Sequence, residues 1–129
     1  MRLLLDTHTL LWAMTKSRTL PQSARRLIEG ARNELFFSAI SIFEIASKRA
    51  SGRRSAPAVA ADIVADLALR AGLREVPVTQ AHAAAVETLA ISHPDPYDRL
   101  LLAQAQIEGL QLVTHDENLA RYDSRTILF

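Results

Sequence analysis

The sequence predicts an α/β fold with a mostly parallel central sheet and helices on both faces. Two observations predict it. The runs Leu3-Leu4-Leu5 and Leu35-Phe36-Phe37 are short and wholly apolar, and Leu110 to Val113 is apolar but for Gln111, as in strands buried in a sheet. Helix-like stretches separate these runs, and strands alternating with helices build parallel sheets with both faces covered. A third observation gives the sheet a working edge: ligand sites of such sheets lie at the carboxyl ends of the strands, and acids recur there.

In order, Leu3 to Leu5 is the first strand, ended by Asp6, and Leu10 to Met14 forms a short helix. Pro21 opens a second helix, with Ala24, Leu27 and Ile28 inward and Gly30 near its end. After the Leu35 strand, Ser38 to Ser41 reads as a turn, and Ile42 begins a third helix that runs into Lys48, Arg49, Arg53 and Arg54. Ser51 to Pro57 is a polar, basic loop. Val59 to Leu69 is helical, with Val59, Ile63 and Leu67 as its inward face and Gly72 as its stop. Glu75 to Val78 is a strand, and Thr79 caps a helix containing Ala83, Val86, Leu89 and Ala90. Asp95 caps a leucine-rich helix ended by Gly109, with Pro96 at its first position and Asp98 at its third. The strand Leu110 to Val113, a helix from Glu117 to Tyr122 and a last strand at Thr126 to Leu128 complete a single domain over residues 1–129.

Composition narrows the class. The 129 residues are 49% hydrophobic and 22% charged, which suits a globular chain with a real core. There is no cysteine, so disulfides and thiolate metal sites are excluded, and the pattern fits a reducing cytoplasm. Asp6 interrupts the opening apolar run too early for a signal peptide. No uncharged apolar stretch approaches the ~20 residues of a membrane span.

Asp6, Glu44, Asp98 and Asp116 all fall near the carboxyl edge of the expected sheet. Each has a local explanation. Asp6 and Asp116 suit helix caps, Ser41 and Glu44 have capping-box spacing, Glu44 stands four residues before Lys48, and Asp98 could complete a box with Asp95. One pooled carboxylate site explains all four placements with a single cause. Crowded carboxylates must take up protons or share a cation. Oxygen donors without cysteine suit a hard ion, Mg²⁺ or Mn²⁺. His8, His82, His93 and His115 lack helical pairing, which argues against zinc; His93 and His115 adjoin the acids and could contact substrate, but a lone polar loop histidine is the simpler reading of each.

These residues resemble a PIN-domain nuclease, of the VapC type that serves as toxin in bacterial toxin–antitoxin pairs. The likeness spans essentially the whole chain: Leu3-Leu4-Leu5-Asp6-Thr7, Ser41-Ile42-Phe43-Glu44-Ile45, His93-Pro94-Asp95-Pro96-Tyr97-Asp98-Arg99 and Val113-Thr114-His115-Asp116. The stretch from Asp95 to Arg99 is the most specific part. The family's acidic quartet carries over to Asp6, Glu44, Asp98 and Asp116. The resemblance implies a Mg²⁺- or Mn²⁺-dependent endoribonuclease that cuts RNA phosphodiesters with metal-activated water. It also implies a homodimer and a cognate antitoxin whose C-terminal segment blocks the site. Asp95 and Thr114 are expected to support the acids.

Charge is compatible with RNA. Net charge is +1, but setting the four acids aside leaves 10 acids against 15 Lys and Arg, a net +5. Lys48, Arg49, Arg53 and Arg54 form the densest basic group, suited to phosphate contacts or to a solvated loop. Aromatic residues are scarce at 5%, so extended base stacking is not an obvious mode. A phosphatase of the haloacid-dehalogenase type would want an aspartate where His8 stands. A non-catalytic binding domain of the same fold and a related metal-dependent phosphodiesterase acting on DNA remain as alternatives.

Overall fold

The computed structural model describes residues 1–89 and 93–129. Five strands, β1 (Arg2–Leu5), β2 (Glu34–Ser38), β3 (Arg74–Val76), β4 (Gln111–Thr114) and β5 (Ile127–Leu128), form one sheet in the order β3-β2-β1-β4-β5. Every pairing is parallel, with Leu4 opposite Phe36 on one side and Leu112 on the other. Among the described residues there are seven helices: α1 (Thr7–Met14), α2 (Gln22–Glu29), α3 (Ala39–Ala50), α4 (Ala61–Arg70), α5 (Gln80–Thr88), α6 (Pro96–Glu108) and α7 (Glu117–Ala120).

The sheet is sandwiched because its central strands are apolar on both sides. Leu3, Leu5, Phe37 and Val113 pack with Leu10, Ile45, Val64 and Ala68 from α1, α3 and α4. Leu4, Phe36 and Leu112 pack with Leu101, Leu102 and Ala105 of α6 on the other face. Burial of each such leucine contributes ~1.5–3 kcal/mol. Helix α6 is enclosed from Leu101 to Ala105, including Gln104, whose amide pairs with Ser38 and donates to Pro77 O at 3.3 Å. It ends at Gly109, whose φ of 66° is the left-handed conformation that glycine tolerates best. The chain leaves β1 toward β2, then returns to lay β4 along the other side of β1. The carboxyl ends of β1 and β4 therefore flank a topological switch point, where sheets of this kind place their ligands.

Four local expectations change. Helix α3 begins at Ala39, directly after β2, because Ser38 caps it by accepting from Ile40 N at 3.0 Å. The turn expected at Ser38 to Ser41 is therefore helical, and Ser41 is buried within it rather than capping it. Helix α4 starts at Ala61 and turns Val64 and Ala68 inward, leaving Ile63 and Leu67 exposed. With five alanines from Ala58 to Ala68, apolar periodicity does not single out one face. Strand β3 stops at Val76, and α7 ends at Ala120. The expected helical position of Ala90 lies outside the described residues.

Candidate active site

Asp6 follows β1 and caps α1. Its Oδ1 accepts from Thr9 N at 2.9 Å, and its Oδ2 accepts from Thr114 Oγ1, at the end of β4, at 2.5 Å. Burial raises the Asp6 carboxyl above the usual aspartate range, and the bonds from Thr114 and Thr9 oppose that rise. Glu44, one turn and more into α3, is also buried. Its Oε1 accepts from Thr7 Oγ1 at 2.7 Å and its Oε2 from Lys48 Nζ at 2.6 Å. Thr7 Oγ1 lies 3.0 Å from Ser41 Oγ, so this hydroxyl pair ties α1 to α3 beneath the acid. The expected i, i+4 pair with Lys48 is formed, whereas a Ser41–Glu44 capping box is not.

Asp95 caps α6 by accepting from Tyr97 N at 2.8 Å. Its own N–H goes to His93 Nδ1 at 3.2 Å, so Asp98 does not complete a capping box. Asp98 is 18% exposed and stands among carboxylates. Burial first, then the charges of Asp95, Asp6, Glu44 and Asp116, push it up to about 8. Asp116 caps α7, accepting from Asn118 N at 2.9 Å and Leu119 N at 3.3 Å. Partial burial works against it, but these N–H groups and His93 hold its carboxyl below the usual range.

His93 departs most from expectation. It lies in the loop before α6, as expected, but is 7% exposed and paired rather than alone. Its Nε2 lies 3.2 Å from Asp116 Oδ2 and its Nδ1 3.8 Å from Asp98 Oδ2. Because Nδ1 accepts the Asp95 N–H, Nε2 is the ring nitrogen left to donate toward Asp116. Among the described residues, His93, Asp98 and Asp116 form the tight group, with donor atoms within 4.8 Å of one another. Asp6 and Glu44 lie outside that group but within the electrostatic field acting on Asp98. His115 turns away, its Nδ1 pairing with the Phe129 carbonyl.

Sequence reasoning gave Thr7 no role at the site, read Ser41 as a capping partner of Glu44, and did not pair His93 with Asp116 or Asp98. The available signal was His93 standing two residues before a helix cap, between the acids and two prolines. Among the basic group, Lys48 is drawn to Glu44, and Asp95 and Asp98 also favour its charged form. Arg49 Nη1 donates to Pro57 O at 2.7 Å, while Arg53 and Arg54 are exposed in the loop after α3. The donor set is chemically suited to a hard divalent ion: carboxylate oxygens from two buried and two partly exposed acids, no sulfur, and one acid pushed toward protonation by burial and its neighbours.

A family model described as PIN domain matches residues 3–125. The chain is 36% identical over 117 residues to ribonuclease VapC22 of Mycobacterium tuberculosis, covering 90% of this chain and 88% of the relative. Its fold matches a crystal structure of VapBC2 from Rickettsia felis bound to a DNA fragment from their promoter. That match has a TM-score of 0.71 at 19% identity, covering 100% of this chain and 98% of that one. A toxin–antitoxin complex from Klebsiella pneumoniae matches with a TM-score of 0.65 at 17% identity, covering 96% and 94% of the two chains.

Proposed function

This chain belongs to the PIN-domain family, in its VapC branch, and we propose that it is a metal-dependent endoribonuclease acting as the toxin of a toxin–antitoxin pair. The observation that carries this reading is the carboxylate cluster: Asp98 and Asp116 bring oxygens within 4.8 Å of each other and of His93, and burial with the charges of Asp95, Asp6, Glu44 and Asp116 pushes Asp98 up to about 8. A carboxyl that takes up a proton for want of a counter-charge is a place where a cation can replace that proton.

Asp6, Glu44, Asp98 and Asp116 would hold Mg²⁺ or Mn²⁺, directly or through its waters. When bound, the ion supplies a water of lowered pKa and offsets charge building on the phosphodiester. The chain's own residues do the positioning. Thr114 and Thr9 fix the Asp6 carboxylate, Thr7 and Lys48 fix Glu44, and His93 and the α7 N–H groups fix Asp116. Asp95 sets the start of α6 and hence the position of Asp98. Lys48, Arg49, Arg53 and Arg54 supply phosphate contacts, with Arg49 also bracing the loop at Pro57. The reading takes residues 1–129 as one nuclease domain, a homodimer in the cytoplasm. The matched complexes support an antitoxin partner. Its C-terminal segment would block the site with a basic side chain, since an acidic pocket attracts one.

The caps at Asp6, Asp95 and Asp116 favour a second reading, a non-catalytic binding domain on the same fold. One assay separates the two: incubation of single-stranded RNA with the purified chain, in Mg²⁺ and in EDTA. Cleavage in Mg²⁺ that stops in EDTA is expected. Cleavage unchanged by EDTA, or none in either condition, sinks the proposal.

A further inference from the structure

A cleft of about 140 Å³ opens beside Glu44, lined chiefly by Thr7, His8, Leu11, Glu44, Lys48 and Pro57. Its lining is of two kinds. Thr7, Glu44 and Lys48 belong to the acidic site and its attached cation. His8, Leu11 and Pro57 offer an aromatic ring and apolar surface that the proposed chemistry does not use.

The ring is already held in place. His8 stacks on Trp12, with centroids 5.7 Å apart and planes 26° from parallel. Trp12 is braced edge-on by His115 at 6.0 Å and Phe129 at 6.4 Å. The loop opposite is tied down by the bond from Arg49 to the Pro57 carbonyl at 2.7 Å. His8 nevertheless remains exposed, two residues after Asp6. A preordered ring at the edge of a cleft, next to a cation and a carboxylate cluster, suits a flat heteroaromatic group attached to a phosphate. Ordering it beforehand reduces the entropy lost on binding.

We infer that this cleft is a nucleobase subsite. It takes one unpaired base flanking the cleaved phosphate, stacked on His8, while Lys48 meets the adjoining backbone phosphate. Single-stranded RNA presents splayed bases that stack on histidine and other rings, and such stacking tolerates any base. The inference rests on the ribonuclease reading above and adds a substrate contact to it.

The test uses the full chain and a short single-stranded RNA, alongside an abasic strand with the same number of phosphates. Binding is followed by fluorescence anisotropy with metal chelated, and cleavage of the RNA in Mg²⁺. His8→Ala should weaken RNA binding by roughly fivefold or more, the low end of what loss of one base stack produces. It should raise KM with kcat held. It should leave binding of the abasic strand at the parent value, and His8→Phe should restore RNA binding. Trp12 is the single tryptophan, so its emission reports whether each variant keeps the native surroundings of that ring. If His8→Ala binds and cuts RNA like a parent that is itself active, the subsite is wrong and the nuclease reading stands. If His8→Phe is as weak as His8→Ala while Trp12 emission is native, stacking is overturned. A parent that neither binds nor cuts RNA overturns both.

Discussion

Asp98 stands in the first turn of α6 and Asp116 caps α7; both face the same cluster, yet the fold treats them in opposite ways. A helix N-terminus favours the charged form of both. At Asp116 two backbone N–H groups and His93 add to that effect, and the carboxyl stays below its usual range. At Asp98 burial and four neighbouring acids outweigh it, and the carboxyl rises to about 8. Position at a helix start therefore does not decide the role of an acid. What faces the carboxylate sets its charge: donors keep it ionised, and other carboxylates push it toward protonation.

The largest expected effect concerns catalysis. Asp98→Asn and Asp116→Asn should each abolish cleavage of single-stranded RNA in Mg²⁺, because each removes a charge from the proposed metal site. Retained cutting by Asp98→Asn, measured as product per unit time, would reduce Asp98 to a structural residue.

Without metal the two variants should part company. A raised folded pKa means that Asp98 is held protonated in the native state while the unfolded chain has already ionised. Its effect on stability is therefore neutral well below pH 4. It grows unfavourable as pH rises from about 4 to about 8, and is fully unfavourable above that. Asp98→Asn should melt higher than the parent in EDTA at pH 8, with the gap closing toward pH 4. Asp116 has the opposite sign. Its stabilisation is present above the unfolded pKa and lost as pH falls through the lower folded one. Asp116→Asn should melt at or below the parent at pH 8. Shifts of the same sign in the two melts would break the comparison.

A smaller effect is expected at Asp95, which caps α6 without belonging to the tight group. Asp95→Ala should cost about 1 kcal/mol of stability in a denaturant melt, with cleavage reduced less than by Asp98→Asn. A loss of cleavage equal to that of Asp98→Asn, at unchanged stability, would move Asp95 from cap to ligand.

Much of this was legible in the sequence because its signals are local and redundant. Leu3 to Leu5 and Leu35 to Phe37 have no polar face, so they could only be central strands. Asp95, Pro96 and Gly109 mark α6 by separate stop and start rules. The misreadings occur where two local rules compete. Ser38 and Ser41 both suit a cap, and the direct strand-to-helix junction selects Ser38. The alanines of α4 left its inward face open until α1 and α3 packed against Val64 and Ala68. The sheet rule put the acids near one edge, where the structure brings Asp98 and Asp116 together with Asp6 and Glu44 in their field, but their partners were not legible. Thr7 reaches Glu44 across 37 positions and Thr114 reaches Asp6 across 108, and no spacing rule links residues so far apart. His93 likewise meets Asp116 only after β4 is laid beside β1. Aromatic residues are scarce, but Trp12, His8, His115 and Phe129 converge beside the site from positions that no spacing rule links.

The central claim is that Asp98 marks a place built for a cation, and a pair of Mg²⁺ titrations tests it most directly. Parent and Asp98→Asn are melted at pH 8 in EDTA and then at rising Mg²⁺. A ligand that binds the native state stabilises it by mass action, by ~2.7 kcal/mol at a hundred times its dissociation constant. The account predicts that Mg²⁺ raises the parent's melting temperature well beyond that of Asp98→Asn, overturning the order seen in EDTA. Equal shifts in the two proteins, or none in the parent, would contradict it.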